Sequence, residues 1–448
     1  MALSGIQIYK LLPQTNCQDC DYPTCLAFAM KLASKQADLD ACPHVSEEAR
    51  EKLAESAAPP IRLVTVSSDG HKVEAGNELV LFRHEKQFFN PPGFFVRVYD
   101  DQPLEEIKEQ TEEAMSYTVQ YVGNALGLDG MAIHATGDGG AFAQAVRAVL
   151  EVAEVPLVLI ADDPDVMAEG VAAAKDAQPL LCGATAENWE PFARLAKEYE
   201  SPLAVRAQTM SALADLIEKV QDSGVQNIVI DPAVRDMHSS LVLNTLIRRK
   251  AIDETFRPLG FPIISFPGEM VEDQGLVTVA ASQAVAKYSG FIVLDGFSPE
   301  LAYPLLALRM NMYTNPQEPI QVEPGVYELN DPGPESPLMV TTNFSITYFS
   351  VANEVDGSGV PSWLLVAEAE GMSVLTAWAA GEFDAERIAK AVRTTNMPEK
   401  VTHRKLIIPG HVAVLLGELE EELPDWEILV GPREAVDLPG YLKIWSAD

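Results

Sequence analysis

From residue 93 onward the hydrophobic positions fall into a regular pattern of short apolar runs. Eight of them are rich in β-formers: Phe94–Val98, Met131–Ala135, Leu157–Ala161, Leu180–Ala184, Leu203–Ala207, Asn227–Asp231, Ile263–Phe266 and Phe291–Asp295. They are nearly continuous rather than alternating, as expected for strands buried on both faces. Helix-length segments such as Ala141–Val152 and Ser211–Gln221 separate them. Repetition of this unit predicts parallel strands with crossover helices, and eight units predict a closed (β/α)8 barrel.

Outside this region the pattern is less regular. Ile61–Val66 and Glu78–Phe82 read as the two arms of a hairpin. Leu26–Leu39 reads as a helix with Leu26, Met30, Ala33 and Ala37 along one stripe. Glu47–Glu55 reads as an acidic helix that Pro59-Pro60 brings to an end. Asn315–Pro337 carries Pro316, Pro319, Pro324, Pro332, Pro334 and Pro337, the density of a linker. Beyond it, Met339–Phe349 alternates as a strand does, and Trp363–Glu368, Lys405–Ile408 and Trp426–Val430 are further strands. Val374–Ala380 (with Ser373 as its cap), Phe383–Thr394 (with Asp384 near its start) and His411–Leu423 are the helices between. The predicted fold is an α/β multidomain chain. It has a small N-terminal module at 1–58, a linker and hairpin at 59–92, a TIM-like barrel at 93–323, and a Rossmann- or flavodoxin-like α/β domain at 324–448.

Composition adds two constraints. The chain has 448 residues with 47% hydrophobic content, enough for several cores, and no run approaches the ~20 apolar residues of a membrane span. With 66 acidic against 32 basic residues the net charge is −34, which disfavours nucleic acid and anionic membranes as partners.

The candidate chemistry begins with cysteine. Cys17, Cys20, Cys25 and Cys42 follow the spacing C-x2-C-x4-C-x16-C, and Pro43 follows the fourth. Four thiolates in a small module suit an iron–sulfur cluster of the 4Fe–4S type. Structural zinc, which usually takes two CxxC knuckles, is the competing reading. Disulfides would imply export, and Met1–Gln7 lacks a charged segment followed by an apolar core. Reduced thiols and an oxygen-sensitive cluster point to the cytoplasm of an anaerobe or microaerobe. The fifth cysteine, Cys182, lies within an apolar run and reads as a small core residue.

Barrel strands run into acids at Asp100-Asp101, Asp162-Asp163, Asp231 and Asp295, on the face where barrel enzymes work. Helix capping and turn formation are the simpler roles for most of them. The loop His134–Gly140 lacks the lysine and glycine order of a phosphate cradle. In the last domain three strands end at Gly371, Pro409-Gly410 and Gly431-Pro432, where an open α/β sheet gathers a ligand crevice. The scarcity of charge at these turns, apart from Arg433 and Glu434, suits a large flat ligand held by backbone and small side chains.

The cysteine spacing, the barrel, Thr341–Tyr348, Gly371–Ala377, Ile407–Gly410 and Val430–Ala435 together resemble the large (gamma) subunit of the corrinoid iron–sulfur proteins of the reductive acetyl-CoA pathway. The resemblance runs essentially end to end. It implies a methyl carrier. A methyltransferase passes the methyl of methyltetrahydrofolate to cob(I)amide, and the methyl-cob(III)amide then serves acetyl-CoA synthase. The 4Fe–4S cluster, fed by a donor such as ferredoxin, reactivates oxidised cobalt. The resemblance also implies a heterodimer with a small barrel subunit. The corrin contacts it implies are Thr342, Thr347, Gly371, Met372, Ser373, Val374, Leu375, Thr376, Pro409, Gly410, Gly431, Pro432 and Arg433. None of the seven histidines stands in a D-x-H-x-x-G setting, so no protein ligand beneath the cobalt is expected. Two alternatives stay open: a barrel that itself binds methyltetrahydrofolate through Asp162, Asn188 or Asp231, and an iron–sulfur flavin electron carrier.

Overall fold

A computed structural model describes residues 5–33, 36–46, 49, 50, 53, 59–121, 124–174, 177–271, 273–317 and 319–447. Contacts divide the chain into two units, residues 1–117 with 128–313 and residues 118–127 with 314–448. Among the described residues no helix is long and apolar enough to cross a membrane.

The first unit begins with the helices Gly5–Leu11 and Cys25–Ala33. An antiparallel pair follows, β1 (Val64–Ser68) and β2 (His71–Ala75), and then β3 (Gly93–Tyr99). The hairpin of β4 (Thr118–Tyr121) and β5 (Asn124–Gly127) groups with the second unit. The chain then forms β6 (Gly130–His134), β7 (Leu157–Ile160), β8 (Leu180–Ala184), β9 (Leu203–Arg206), β10 (Ile228–Asp231), β11 (Ile263–Ser265) and β12 (Ser289–Leu294). These strands and β3 close an eight-membered barrel in chain order, every pairing parallel. The eight predicted runs are its eight strands.

Strand periodicity sorts the side chains. Phe95, Ala132, Val158, Leu180, Cys182, Ala204, Val229, Ile264 and Phe291 form one buried cluster, together with Val64, Val66, Val73 and Ala75 of the hairpin. Their strand neighbours, including Val96, Met131, Ile133, Leu159, Leu181 and Ile230, pack instead against helix residues such as Phe142, Val146, Phe192 and Ile217. The β1–β2 hairpin therefore plugs the barrel interior. Gly290 permits its close approach, since a Cβ there would lie 2.6 Å from that of Ala75.

That hairpin differs from the sequence expectation. Its arms are 64–68 and 71–75, and Glu78–Phe82 is not a strand. The reason is a buried ion pair that claims the segment's polar groups. Glu78 accepts from the amides of Phe89 (2.8 Å) and Asn90 (3.2 Å) and from Arg248 (3.4 Å). Arg248 also donates to the Val80 carbonyl at 2.8 Å and lies over the rings of Tyr288 and Phe88. Burial pushes the Glu78 carboxyl above its ordinary value and the Arg248 guanidinium below its own.

The second unit is an α/β sheet of β13 (Gly325–Leu329), β14 (Leu338–Thr342), β15 (Ser362–Ala367), β16 (Lys405–Ile408) and β17 (Glu427–Val430). Their order is β13-β15-β14-β16-β17, with β13 antiparallel at the edge and the rest parallel. Two expectations are corrected here. The proline-rich stretch is not only a linker, because β13 forms between Pro324 and Pro332, where no proline interrupts its ladder. The alternation read over Met339–Phe349 is not one strand. β14 ends at Thr342 and a helix runs over Ser345–Ser358. All five residues of β14 are buried, as in a strand covered on both faces.

In the N-terminal module the helix is shorter and turned differently than expected. Cys25, Phe28 and Ala29 are its buried residues, whereas Leu26 and Met30 are 43% and 49% exposed. The buried face carries Cys25 into one apolar cluster with Cys20, Cys42, Ile8 and Leu12. Most of the expected helix Glu47–Glu55 lies outside the described residues.

Replacing Glu78 with Ala strands a buried guanidinium and is expected to cost about 3–5 kcal/mol. The paired change Glu78→Gln with Arg248→Met is expected to cost less. Urea unfolding of the three proteins, followed by circular dichroism, checks the order.

Candidate functional site

Three places gather chemically capable groups, and each is built differently. The first is the cysteine module. Gln14, Asn16, Gln18 and Asp21 have left-handed backbone, so the chain curls tightly through the first two cysteines. The side-chain oxygen of Asn16 accepts from the Cys25 amide at 2.9 Å, and the Asn16 amide donates to Cys25 Sγ at 3.4 Å. Cys42 follows a 3-10 turn, Leu39–Ala41, capped by Asp38, whose carboxylate accepts from the Asp40 amide. Cys20, Cys25 and Cys42 are buried in one apolar cluster with Ile8, Leu12, Phe28 and Val45, and Cys17 is exposed. Beside Cys17 stand Asp19 and His44, whose side chains meet at 2.6 Å. Hydrogen bonds from His44 and from the Cys17 thiol hold the Asp19 carboxyl below the usual range. Four free thiols with a backbone amide on one sulfur fit the donor set of a thiolate-bound metal centre.

The second place is the barrel mouth, where the strand-end acids lie. Only one of those acids serves as the expected cap: Asp163 accepts from Asp165 at the start of the helix Pro164–Ala173. Asp138, in the loop after β6, likewise caps the helix Gly139–Val152. Asp231 and Asp295 instead join a chain of charges, Asp295–Arg97–Glu269–Arg235–Asp231, across the strand ends. Arg97 is 3% exposed and binds both Glu269 (2.5 Å) and Asp295. Burial raises the Glu269 carboxyl, but the hydrogen bond from Arg97 and the charge of Arg235 outweigh it, so it sits below its ordinary value. Burial and the positive charge of Arg97 lower His134, whose ring stacks on Tyr99 at 5.2 Å. Burial drives the Cys182 thiol well above its ordinary value, as suits an inert core residue.

The three candidates for holding a pterin are engaged within the chain. Asp162 pairs with Arg206 (2.6 Å). Asn188 donates to the carbonyls of Asp162 and Gly183 and accepts from Thr185. Asp231 accepts from Ala233 and Arg235. A cavity of about 560 Å³ opens at this face against Arg97, Tyr99, Glu269 and Asp295; Arg97 pairs with both acids, and the second Asp295 oxygen is buried without a hydrogen-bond partner among the described residues.

The third place is the crevice of the second unit, where the strand order reverses between β14 and β16. A cavity of about 320 Å³ lies there. Of the residues expected to contact a corrin, Thr347, Ser373, Val374, Leu375, Pro409, Gly431, Pro432 and Arg433 line it. Thr342, Gly371, Met372, Thr376 and Gly410 do not. Met339, Val340 and Thr341 supply the wall from β14, and Thr342, one residue further on, is not part of it. Both hydroxyls are buried and lack a hydrogen-bond partner. Gly410 brings two turns together: its amide donates to the Pro432 carbonyl at 3.0 Å, and a Cβ would lie 2.6 Å from the Gly431 oxygen. Thr376 bonds the Ser373 hydroxyl at 3.0 Å.

Gly371 and Met372 sit in a turn fastened by Asn343, which is fully buried. The Asn343 oxygen accepts from the amides of Ala369 and Gly371, both at 3.0 Å, and its nitrogen donates to Glu368 and Gln321. Sequence reading gave Asn343 no role. An asparagine directly after a buried strand was the available signal. It also missed Ile346, Ser350 and Val351, which reach the cavity from one face of the helix Ser345–Ser358, and His411, whose ring is 3.7 Å from Glu434.

Because Glu269 has a folded value below its unfolded one, its contribution to stability is present above the ordinary glutamate range. It is lost as pH falls through the folded value. Glu269→Gln is expected to lower stability at pH 7 and to flatten the acid limb of the stability profile, as measured by thermal melts between pH 3 and 7.

The family profile described as "CO dehydrogenase/acetyl-CoA synthase delta subunit" matches residues 63–442, and one described as "Putative Fe-S cluster" matches residues 12–44. The "Corrinoid/iron-sulfur protein large subunit" of Moorella thermoacetica is 42% identical over 445 residues, 99% of each chain. The "Acetyl-CoA decarbonylase/synthase complex subunit gamma" of Methanopyrus kandleri is 37% identical, covering 98% of this chain and 97% of its own. Among solved structures, dihydropteroate synthase from Thermus thermophilus matches with a TM-score of 0.39 and 17% identity, covering 56% of this chain and 100% of that one. With a profile matched over most of its length and full-length relatives above 30% identity, this chain belongs to the corrinoid/iron–sulfur protein large-subunit family of the acetyl-CoA synthase system.

Proposed function

We propose that this chain carries methyl groups on a corrinoid held by its second unit, with an iron–sulfur cluster on Cys17, Cys20, Cys25 and Cys42 keeping the cobalt reduced. The carrying observation is the β14/β16 cavity, walled by backbone turns and small or apolar side chains, in a chain whose full-length relative is named for a corrinoid and an iron–sulfur centre. The order of its four parallel strands is the flavodoxin type, which collects ligands at that reversal. The corrinoid, when bound, supplies a cobalt that accepts a methyl group and passes it on.

The protein's part is to bind and orient. Gly431, Pro432, Pro409 and the start of the helix Val374–Ala380 offer backbone to the corrin rim. The unpartnered Thr341 hydroxyl and Arg433 offer polar contacts at the wall and the edge, with Thr347, Ser373 and Leu375 completing the surface. Asn343 holds the Gly371 turn in place without touching the ligand. His411 lines the cavity 3.7 Å from Glu434 but stands in no D-x-H-x-x-G setting, so a corrinoid held here would have no protein ligand beneath its cobalt and would be easier to reduce. The cluster is of the 4Fe–4S type. The module spans 1–58, the linker and hairpin 59–92, the barrel 93–323 and the corrinoid domain 324–448. The partners are a small barrel subunit, a methyltetrahydrofolate-dependent methyltransferase, acetyl-CoA synthase and a ferredoxin-type donor, in the cytoplasm.

The two cofactor assignments separate by metal analysis. Val351→Trp fills the cavity from the Ser345–Ser358 helix and is expected to abolish cobalt retention while iron stays at its wild-type level. Cys42→Ala is expected to do the reverse: iron falls, cobalt stays, and a corrinoid oxidised to cobalt(II) no longer recovers under low-potential reductant. Cobalt unaffected by Val351→Trp would remove the cavity from the reading. His411→Ala is expected to leave the cobalt(II) paramagnetic resonance spectrum unchanged. Loss of a nitrogen splitting in that variant would identify an axial imidazole and refute the present account.

A further inference from the structure

The four cysteines do not share one environment. Cys20, Cys25 and Cys42 are 8%, 6% and 3% exposed within the apolar cluster of the module, whereas Cys17 is exposed. A centre held by these four sulfurs is therefore dry on three sides and open at the Cys17 corner. At that corner Cys17 Sγ, an Asp19 oxygen and a His44 ring nitrogen lie within 4.8 Å of one another. The Asp19–His44 contact of 2.6 Å joins residues 25 apart in sequence, one on the curled loop and one just past Pro43. Tertiary closure of the module, not local sequence, brings them together.

Charge and hydrogen bonding next to a cluster sulfur, together with solvent exposure, set how readily the cluster accepts an electron. A metal-bound Cys17 is a thiolate and has no proton to give Asp19. His44 is then the described hydrogen-bond donor to that carboxylate. The carboxylate disfavours adding an electron beside it, and the imidazole N–H draws part of that charge away.

From this geometry we infer that Asp19 and His44 are positioning residues that tune the reduction of the iron–sulfur centre through its exposed Cys17 corner. The inference rests on the reading of the four cysteines as cluster ligands. The step concerned is a one-electron reduction of the centre by an external low-potential donor, with no bond made or broken in the protein.

Two single variants of the full-length, cluster-loaded chain test this by redox titration with dithionite and mediators, monitored by paramagnetic resonance. Asp19→Asn removes the carboxylate charge and is expected to shift the midpoint upward. His44→Phe leaves that charge uncompensated and is expected to shift it downward. The spectral shape of the reduced cluster should stay the same in both. Shifts of the same sign, or none in either variant, overturn the inference, because simple loosening of the loop acts alike in both. Should His44→Phe fail to hold iron, His44→Asn, which keeps an N–H donor, is expected to remain near the wild-type midpoint, and a large shift there counts against the assignment. A wild-type chain with no iron–sulfur signal would instead refute the ligand reading itself, which separates the two failures.

Discussion

Parallel strands joined by right-handed crossovers all end on one face, and both α/β units obey that constraint. Every candidate group outside the cysteine module is at such a face because the connecting loops have nowhere else to gather. What differs is how each face satisfies its polar atoms. At the barrel mouth, Arg97 and Arg235 bind Asp295, Glu269 and Asp231 into one chain, and the carboxylates that might have met a ligand are bound to guanidinium groups. In the second unit the crevice is walled by aliphatic side chains, proline, glycine and hydroxyls, with His411, Arg433 and Glu434 also lining it, and Thr341 keeps an unpartnered, buried hydroxyl. Both faces keep unmet hydrogen-bonding capacity, at Asp100, His134 and Asp295 in the barrel and at Thr341 and Thr342 in the second unit, but the barrel's is set among paired charges and the crevice's among largely neutral walls.

The same contrast applies within the barrel. The hairpin from Val64 to Ala75 fills its interior, and the Glu78–Arg248 pair ties the following segment to the helix Met237–Asp253. Hydrophobic filling provides the bulk of the packing there. The ion pair instead specifies a path for the chain, since breaking it leaves a charge in a place water does not reach.

The cysteine module works on a smaller scale. A few apolar residues surround three thiols, and the loop carrying the first two depends on left-handed backbone at Gln14, Asn16, Gln18 and Asp21. Such a loop has little reason to hold its shape for packing alone. Its geometry makes sense as a wrapping for a metal centre whose bonds supply the missing stability.

The barrel was legible in the sequence because buried parallel strands have no polar face to hide, so eight apolar runs stand out against their helices. The cysteine spacing was legible for a similar reason, because a metal site needs its ligand types whatever surrounds them. Local pattern misled where a tertiary partner outweighed it. Glu78–Phe82 looked like a strand until Arg248, far away in sequence, took its carbonyl. Met339–Phe349 looked continuous although Asn343 breaks it to fasten the Gly371 turn. Leu26 and Met30 looked like a core stripe, but the helix buries Cys25, Phe28 and Ala29 instead. Which of Thr341 and Thr342 faces the cavity, which aspartates cap helices and which pair with arginine, and that Asp19 meets His44 were decided only by tertiary structure. Each depends on a partner brought close in space by the fold, and spacing along one chain carries no record of that distance.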